Sequence, residues 1–261
     1  MEIFKNFDWD VTERELVLFI PHFNRSNYIR KWLETFKTEI PTDKWIILIG
    51  NDGEHESFDD LKNRNVRYFT LPRKNATERN SSFIRNVAIK NCRSKLFYQK
   101  DPDVIVLGSD FIKGCLENNI NNAIYRCGET AHRAVESETK DFLNGAITLE
   151  QVIKTANRHP ITESFVYCQY SMCVPRKILF DLGGYCEELK GNWYDDTDMH
   201  RRLISFGLKQ ILDKNCQPLH LWHPTNFDQT NLKFNENLFE QRKQSGIIVD
   251  NIDKRWGEGG A

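Results

Sequence analysis

The first part of the chain alternates short apolar runs with segments whose apolar residues recur at helical spacing. The apolar runs predict strands at residues 15–20, 44–49, 66–71 and 95–99. Residues 26–36, behind a serine N-cap, and residues 82–91 predict helices. This β-α-β-α-β order favours a parallel sheet with right-handed crossovers, in which ligands bind at the carboxyl ends of the strands.

The second half of the chain is less regular. Residues 123–127 and 165–174 predict strands, and the polar stretch 129–162 predicts helix and loop over a cleft. Residues 196–206 open with acidic side chains and are followed by Gly207, which predicts a helix. No internal repeat, low-complexity segment or linker interrupts the 261 residues, so we expect one continuous domain.

Composition is that of an ordinary globular protein, with 39% hydrophobic and 28% charged residues. The formal net charge of -1 gives no general attraction to nucleic acid or anionic membranes. No run of about 18 apolar residues is present, residues 1–10 lack the order of a signal peptide, and the seven cysteines form no CxxC pair. We therefore expect a cytoplasmic protein, free or peripheral at a membrane; a lumenal enzyme cut from a membrane anchor is the alternative.

Two polar signatures far apart in the chain each stand next to an apolar run. They are Asp101-Pro102-Asp103 and His220-Leu221-Trp222-His223. Carboxylates and imidazoles at strand ends can converge in one cleft and hold a divalent cation. Alone, the first signature also fits a solvated turn, and His220 fits packing against Trp222. A zinc hydrolase would need an HExxH helix, which the sequence lacks.

Several motifs in order resemble the GT-A glycosyltransferases. They are PHFNR (21–25), GNDG (50–53), Arg85-Asn86, DPD (101–103), GGY (183–185), DDTD (195–198) and HLWHP (220–224). Within that fold the chain is similar to inverting family-2 enzymes, especially the β-1,4-galactosyltransferase and chondroitin N-acetylgalactosaminyltransferase group, which pair a DxD motif with a late HxxH. The resemblance runs over roughly residues 15–225. It implies an α/β GT-A (Rossmann-like) single domain with a central mixed, mostly parallel sheet flanked by helices.

The resemblance also implies a division of the chain. Residues of about 15–110 would form the nucleotide-binding half and residues of about 111–230 the acceptor and catalytic half, followed by a C-terminal helical tail at about 231–261. The implied metal ligands are Asp103, His220 and His223, with Mn²⁺ as the expected ion and Mg²⁺ as the alternative. The implied donor-binding residues are Pro21, Asn24, Arg25, Asp52, Arg85, Asp101 and Gly184.

The acidic pair Asp195-Asp196 fills the place of the family's Glu-Asp pair at the start of a helix. Asp196 would then be the general base that deprotonates the acceptor hydroxyl, and Asp195 would contact the acceptor. N-capping of the helix is the simpler explanation of acidic residues here. Trp193 and Tyr194 offer flat faces for a sugar ring, although aromatic residues also serve as core. They stand where the family has a glycine-rich stretch, so acceptor specificity does not carry over.

These expectations combine into one function. The chain is expected to be a metal-dependent inverting glycosyltransferase that moves a sugar from a UDP-sugar to a hydroxyl of a saccharide or glycoconjugate. Galactose or an N-acetylhexosamine is the donor sugar that the resemblance favours. A sugar-phosphate nucleotidyltransferase is an alternative, but it should carry an early glycine-rich basic loop that residues 21–25 do not provide. A catalytically silent relative that binds glycan or nucleotide is the second alternative.

Overall fold

A computed structural model of the chain describes residues 3–71, 79–118, 121–128, 130–160, 171–191, 193–224, 228–252 and 255–258. The strands in this part of the chain are β1 (Phe4–Lys5), β2 (Leu16–His22), β3 (Trp45–Asn51), β4 (Val66–Thr70), β5 (Leu96–Lys100), β6 (Val104–Gly108), β7 (Ala123–Cys127), β8 (Thr130–Arg133), β9 (Asn157–Pro160), β10 (Ser171–Pro175), β11 (Lys209–Asp213) and β12 (Cys216–His220). The α-helices are α1 (Ser26–Thr35), α2 (Ser81–Asn91), α3 (Phe111–Glu117), α4 (Glu136–Leu143), α5 (Leu149–Thr155), α6 (Arg176–Asp181), α7 (Asp195–Ser205) and α8 (Gln229–Gln244). Short 3-10 helices span Trp9–Thr12 and Asp59–Arg64.

The main sheet has the strand order β1-β4-β3-β2-β5-β10-β7-β11. The four neighbours β4, β3, β2 and β5 run parallel to one another. β10 lies antiparallel to both β5 and β7, and β11 is parallel to β7. The predicted mixed, mostly parallel sheet is therefore confirmed, and the carboxyl ends of its parallel strands lie along one edge.

Helices cover both faces of this sheet, which explains why its central strands are uninterrupted apolar runs. Every residue of β2 is buried. Leu18 faces the cluster that includes Ile29 and Trp32 of α1. Phe19, the next residue, faces the opposite cluster with Ile84 and other residues of α2. A strand buried on both faces needs apolar side chains at odd and even positions alike.

A second sheet, with the order β6-β12-β8-β9, brings the two polar signatures together. β12 runs antiparallel to β6 so that His220 pairs with Val104, the residue after Asp103. The backbone N–H of Leu221 then donates to the carbonyl of Asp103 at 2.9 Å. The pairing of β6 with β12 thus sets the spacing between the acidic and the histidine motif.

Several predicted boundaries differ from the structure. β2 continues through Pro21 to His22, because proline accepts extended backbone and the carbonyl of His22 accepts the N–H of Asp52 at 2.9 Å. Ser26 does not cap α1, since its hydroxyl donates to Glu56 instead. The stretch 129–162 contains β8 and β9 as well as helices.

The C-terminal tail is helical only over α8, and the described residues after Gln244 are not helical. Of the strand predicted at 165–174, the part before Ser171 lies outside the described residues, and the remainder belongs to β10. None of the helices in the described ranges is long and apolar enough to cross a bilayer.

Candidate functional site

Three side chains from the two polar signatures converge at the end of β12. The Nε2 atom of His220 lies 2.9 Å from Oδ2 of Asp103, and the Nε2 atom of His223 lies 3.4 Å from the same oxygen. One ligand atom from each residue lies within 4.8 Å of the other two. Asp103 itself is buried, while the imidazoles are partly exposed.

Arg25, at the start of α1, contacts the same group from the other side. Its Nη1 donates to Oδ1 of Asp103 at 2.6 Å, and its Nη2 lies 2.9 Å from Nδ1 of His223. A guanidinium can only donate, so Nδ1 of His223 accepts in this arrangement. The same Nδ1 lies 3.1 Å from the carbonyl of Pro224, which is the partner that a protonated Nδ1 would use.

The surrounding charges keep Asp103 in its ionised form. Burial opposes ionisation of Asp103, but the hydrogen bond from His220 and the charges of His220, Arg25 and His223 lower the pKa of Asp103 well below its usual range. Burial also lowers the pKa of His223, with Asp103 opposing that shift. A carboxylate with two imidazoles is a donor set that suits manganese, and the residues therefore fit a divalent cation.

Asp101 lies beside the cluster and is partly exposed. Burial and the charge of Asp103 raise the pKa of Asp101 to about 6, although Arg85 and His220 lower it. The preceding Lys100 is buried, and its ammonium donates to the carbonyl of Asp101 at 2.8 Å. Desolvation lowers the pKa of Lys100 to about 7.

Arg85 and Asp195 meet in the interior between α2 and α7. Oδ2 of Asp195 accepts from Nη1 of Arg85 at 2.7 Å and from the hydroxyl of Ser81 at 2.7 Å. The two charged side chains are 9% and 8% exposed. This buried ion pair therefore holds α2 against α7. A direct contact of Arg85 with the donor, or of Asp195 with the acceptor, stays a prediction.

The residues around the start of α7 carry the remaining acceptor predictions. Asp196 is partly exposed, and its Oδ1 accepts the N–H of Thr197 at 2.8 Å. Trp193 is 40% exposed, whereas the ring of Tyr194 packs against Phe239 with a centroid distance of 5.3 Å. Trp193 and Asp196 thus face outward, while Tyr194 has a packing partner on α8.

The predicted donor residues are divided between surface and interior. Pro21 and Asp52 are buried, and Oδ2 of Asp52 accepts the N–H of Asn80 at 2.9 Å. Asn24 is exposed, with a φ of 53°. A base contact by Asp52 stays a prediction, since one of its oxygens already has a partner inside the protein.

Gly184 is needed for internal packing. Its φ is +71°, and a Cβ there would meet the carboxamide oxygen of Asn86 and, at 2.9 Å, the ring of Trp256. The close approach that this glycine permits is therefore to its own chain. A contact between Gly184 and the donor sugar stays a prediction.

Three residues near the site were not singled out by the sequence. His22 is buried at the end of β2, and burial together with Arg79 and Arg25 lowers its pKa to about 3. The guanidinium of Arg79 lies 5.1 Å from the ring centroid of Phe23. Ser81 links α2 to Asp195. Its place within the PHFNR motif was the available signal for His22. Ser81 acts through a contact between residues far apart in the chain.

A cavity of about 1280 Å³ lies elsewhere in the fold, between the end of α1, α3 and the turn after β11. The residues that line it include Phe36, Phe111, Tyr125, Asp110 and Lys214. None of the residues that meet around Asp103 lines this cavity.

No protein-family model and no curated protein sequence matches this chain. Solved structures do share its fold. The mannosyltransferase PcManGT from Pyrobaculum calidifontis, in complex with GDP-Man and Mn²⁺, aligns with a TM-score of 0.53 and 14% identity over 82% of this chain and 60% of that chain. S. aureus TarS 1-349 in complex with UDP gives a TM-score of 0.57 and 13% identity over 88% of this chain and 72% of that chain. GalNAc-T7 with UDP, GalNAc and Mn²⁺ gives 0.58 and 9% over 88% of this chain and 48% of that chain.

At these identities the likeness concerns the fold alone. This chain spans 60% of the mannosyltransferase and about half of GalNAc-T7. The narrower resemblance to the β-1,4-galactosyltransferase and chondroitin group stays a prediction. The eight-stranded mixed sheet flanked by helices matches these glycosyltransferases, and the chain has the GT-A fold.

Proposed function

We propose that this protein is a metal-dependent inverting glycosyltransferase that moves a sugar from a UDP-sugar to a hydroxyl of a saccharide or glycoconjugate. The observation that carries the proposal is the convergence of Asp103, His220 and His223. Their cluster lies just beyond β5, where ligands bind in sheets of this kind. The GT-A fold supports a nucleotide-sugar donor, since the related structures were solved with UDP or GDP-Man.

The proposed metal residues are Asp103, His220 and His223, with Asp101 as an outer partner. When bound, a divalent cation would neutralise the negative charge that develops on the departing diphosphate. Mn²⁺ is the ion that a mixed carboxylate and imidazole set favours, and two of the related structures contain it.

Asp196 is the proposed general base. In an inverting displacement the acceptor oxygen forms a bond to the anomeric carbon as the bond from that carbon to the diphosphate breaks, and UDP leaves with the electron pair. The acceptor's proton passes to a carboxylate oxygen on the face opposite the diphosphate. Asp196 is suited to this transfer because it is partly exposed at the start of α7, where the neighbouring Asp195 is fixed by Arg85 and Ser81.

Trp193 is the proposed acceptor platform. Its side chain is the exposed aromatic group nearest in sequence to Asp196, and a flat apolar face suits stacking against a sugar ring. Arg25 and Arg79 are the cations that we propose meet the donor's phosphates. Arg25 contacts Asp103, and the guanidinium of Arg79 lies 5.1 Å from the ring centroid of Phe23, the residue after β2.

The proposal is tested by measuring nucleoside diphosphate release from a panel of UDP-glucose, UDP-galactose, UDP-GlcNAc, UDP-GalNAc and GDP-mannose. Release should require Mn²⁺ and should increase when a suitable saccharide acceptor is added. Calorimetry should show that UDP binds at least about tenfold more weakly with EDTA than with Mn²⁺, which corresponds to roughly 1.4 kcal/mol. Equal UDP affinity with Mn²⁺ and with EDTA would remove the argument for a metal bridge. Release from GDP-mannose alone would contradict the choice of a UDP-sugar.

A further inference from the structure

The turn that precedes α7 has an unusual backbone. Trp193 and Tyr194 have φ values of 82° and 67°, although neither is a glycine. Residues with a Cβ seldom occupy this left-handed region, and two in succession persist only where surrounding contacts hold them. The turn leads directly into Asp195 and Asp196, so its shape sets where the proposed base begins.

Asn235 of α8 supplies those contacts. Its side chain is 0% exposed. The carboxamide nitrogen donates to the carbonyl of Lys190 at 2.9 Å and to the carbonyl of Trp193 at 3.1 Å. The carboxamide oxygen accepts the N–H of Lys190 at 2.8 Å. One buried side chain therefore ties the two ends of the turn together.

α8 is itself fixed against α7. Arg242 donates to Oδ2 of Asp250 at 2.6 Å and lies 3.4 Å from Oδ2 of Asp198, which is buried in the first turn of α7. The packing of Tyr194 against Phe239 lies one helical turn beyond Asn235. Asn235 therefore lies on a helix whose position relative to α7, and so to Asp196, is held by these contacts.

The same turn also contacts α2. The hydroxyl of Ser81 donates to the carbonyl of Gly191 at 2.9 Å and to Asp195 at 2.7 Å. The first backbone hydrogen bond of α7 runs from Asp198 to the carbonyl of Tyr194 at 2.8 Å. Ser81 of α2 and Asn235 of α8 therefore both hold the turn that precedes α7.

We propose that Asn235 is a positioning residue for the acceptor side of the active site. By holding the backbone of Lys190 and Trp193 it orients the exposed face of Trp193 and the first turn of α7, which carries Asp196. The inference rests on the proposed glycosyltransferase function. It assigns to the C-terminal helix a role in acceptor use, with no contact to the donor.

The test compares Asn235→Asp and Asn235→Ala with the control Asn237→Asp. Asn235→Asp keeps the size of the side chain. It replaces the carboxamide nitrogen, which donates to the carbonyls of Lys190 and Trp193, with a carboxylate oxygen that cannot donate. The second removes the bonds without adding a charge, which serves if the first does not fold. Asn237 is exposed on the same helix, so its variant makes the same chemical change away from the turn.

Three measurements are made on folded protein below its thermal transition. Hydrogen exchange should speed up at the amide of Lys190 in Asn235→Ala, which removes its acceptor, and at neighbouring amides of the turn in both Asn235 variants. Transfer to acceptor should fall about 10- to 100-fold, through a raised acceptor KM or a lowered kcat. Affinity for UDP with Mn²⁺ should stay within about twofold of the unmodified protein. The Asn237→Asp control should match the unmodified protein in all three.

The outcomes separate this inference from the proposed function. If Asn235→Ala folds and its acceptor KM and kcat equal those of Asn237→Asp, the positioning role is wrong. A loss of thermal stability with unchanged kinetic constants also overturns that role, because a purely structural residue behaves in that way. If the unmodified protein releases no nucleotide from any donor, the proposed function fails. Hydrogen exchange then tests only whether Asn235 holds the turn. Unchanged exchange at Lys190 in Asn235→Ala would show that it does not.

Discussion

His223 shows how a single side chain can serve two partners that exclude each other. Its Nδ1 accepts from Arg25, so the neutral ring in this arrangement carries its proton on Nε2. Binding a metal through Nε2 requires a lone pair there, and the proton must then reside on Nδ1. The carbonyl of Pro224, 3.1 Å away, can accept from a protonated Nδ1. Metal uptake and the contact with Arg25 therefore compete for the same imidazole.

Removing His223 should weaken metal binding without unfolding the protein. His223→Ala deletes one of three proposed ligands, and we expect manganese affinity to fall by at least about tenfold. Calorimetric titration with Mn²⁺ measures this, with the exposed His55→Ala as control. Full manganese-dependent activity in His223→Ala would make the segment structural.

The same site should lose its metal on acidification. Only the neutral imidazole binds a cation, and burial lowers the pKa of His223 below its ordinary value. Protonation of His223 should therefore weaken binding only below about pH 6.5, the reference pKa of histidine, as the pH falls through the lower pKa of this residue in the folded protein. Titrations of Mn²⁺ at a series of pH values should show this order, and a loss that begins above neutral pH would contradict it.

Asp196 is tested by a change that preserves its shape. Asp196→Asn cannot accept the acceptor's proton, so transfer should fall by about 10²- to 10⁴-fold. UDP affinity should hardly change, because the proposed metal and nucleotide contacts come from other residues. Acceptor-dependent turnover and UDP affinity are measured in parallel. Near-normal turnover in folded Asp196→Asn would rule out Asp196 as the general base.

At the scale of elements, the buried pair of Arg85 and Asp195 joins α2 to α7. Both side chains are below one tenth exposed, and they are 2.7 Å apart. Arg85→Met would leave the carboxylate of Asp195 buried beside Ser81 without its cation. Breaking a buried pair in this way typically costs about 3–5 kcal/mol, so the free energy of unfolding should fall by that order.

Chemical denaturation measures the effect, and the surface provides a matched control. Lys177 and Asp181 form an exposed ion pair on α6. Lys177→Met should therefore change the free energy of unfolding by no more than about 1 kcal/mol. A loss in Arg85→Met as small as that in Lys177→Met would show that the interior pair does not hold the helices together.

The elements of the first half were predictable because their signals are local. The apolar runs at 44–49 and 66–71 became β3 and β4 with boundary shifts of at most two residues. The second sheet was not predictable in the same way, since the pairing of β6 with β12 joins residues more than a hundred positions apart. The turn held by Asn235 was also beyond local signals, because nothing in the residues around 235 indicates a contact with Trp193.

The candidate site was also predictable only in part. The meeting of Asp103 with His220 and His223 followed from motifs at predicted strand ends, and the structure brings those side chains together. The sequence predicted ligand contacts for Arg85 and Asp195, and those contacts stay predictions. The structure shows in addition that the two residues pair with each other. This ion pair was not predictable from the sequence, because it depends on the packing of α2 on α7, which joins residues far apart in the chain.

At the scale of the whole molecule, two buried imidazoles link stability to pH. Burial and Arg126 lower the pKa of His200 to about 4, and burial with two arginines lowers that of His22 to about 3. Both rings stay neutral in the folded protein while the unfolded chain takes up protons below about pH 6.5. The unfolded state then binds more protons, so the free energy of unfolding falls as the pH decreases.

The size of this effect follows from the shifted pKa values. Between about pH 6.5 and pH 5 each imidazole should lower the free energy of unfolding by at most about 1.5 kcal/mol. Asp101 acts in the opposite direction, because its pKa is raised to about 6 and its protonation in the folded state stabilises the protein as the pH falls. Asp101 therefore offsets part of the change from the two histidines, whereas His223, whose pKa burial lowers, adds to that change.

A difference between variants isolates the histidine contribution. His200 lies on α7 away from the Asp103 cluster, and its Nδ1 is 3.4 Å from Nη1 of Arg126. His200→Gln keeps an acceptor for Arg126 but cannot take up a proton. The free energy of unfolding of this variant should therefore decline less steeply than that of the unmodified protein between about pH 6.5 and pH 5. This window begins at about the reference pKa of histidine. Denaturation at several pH values measures both slopes. Asp101 contributes equally to both proteins, so its effect cancels when the two slopes are subtracted. Equal slopes of the free energy of unfolding against pH would mean that His200 is protonated in the folded protein or that the unfolded chain does not protonate it.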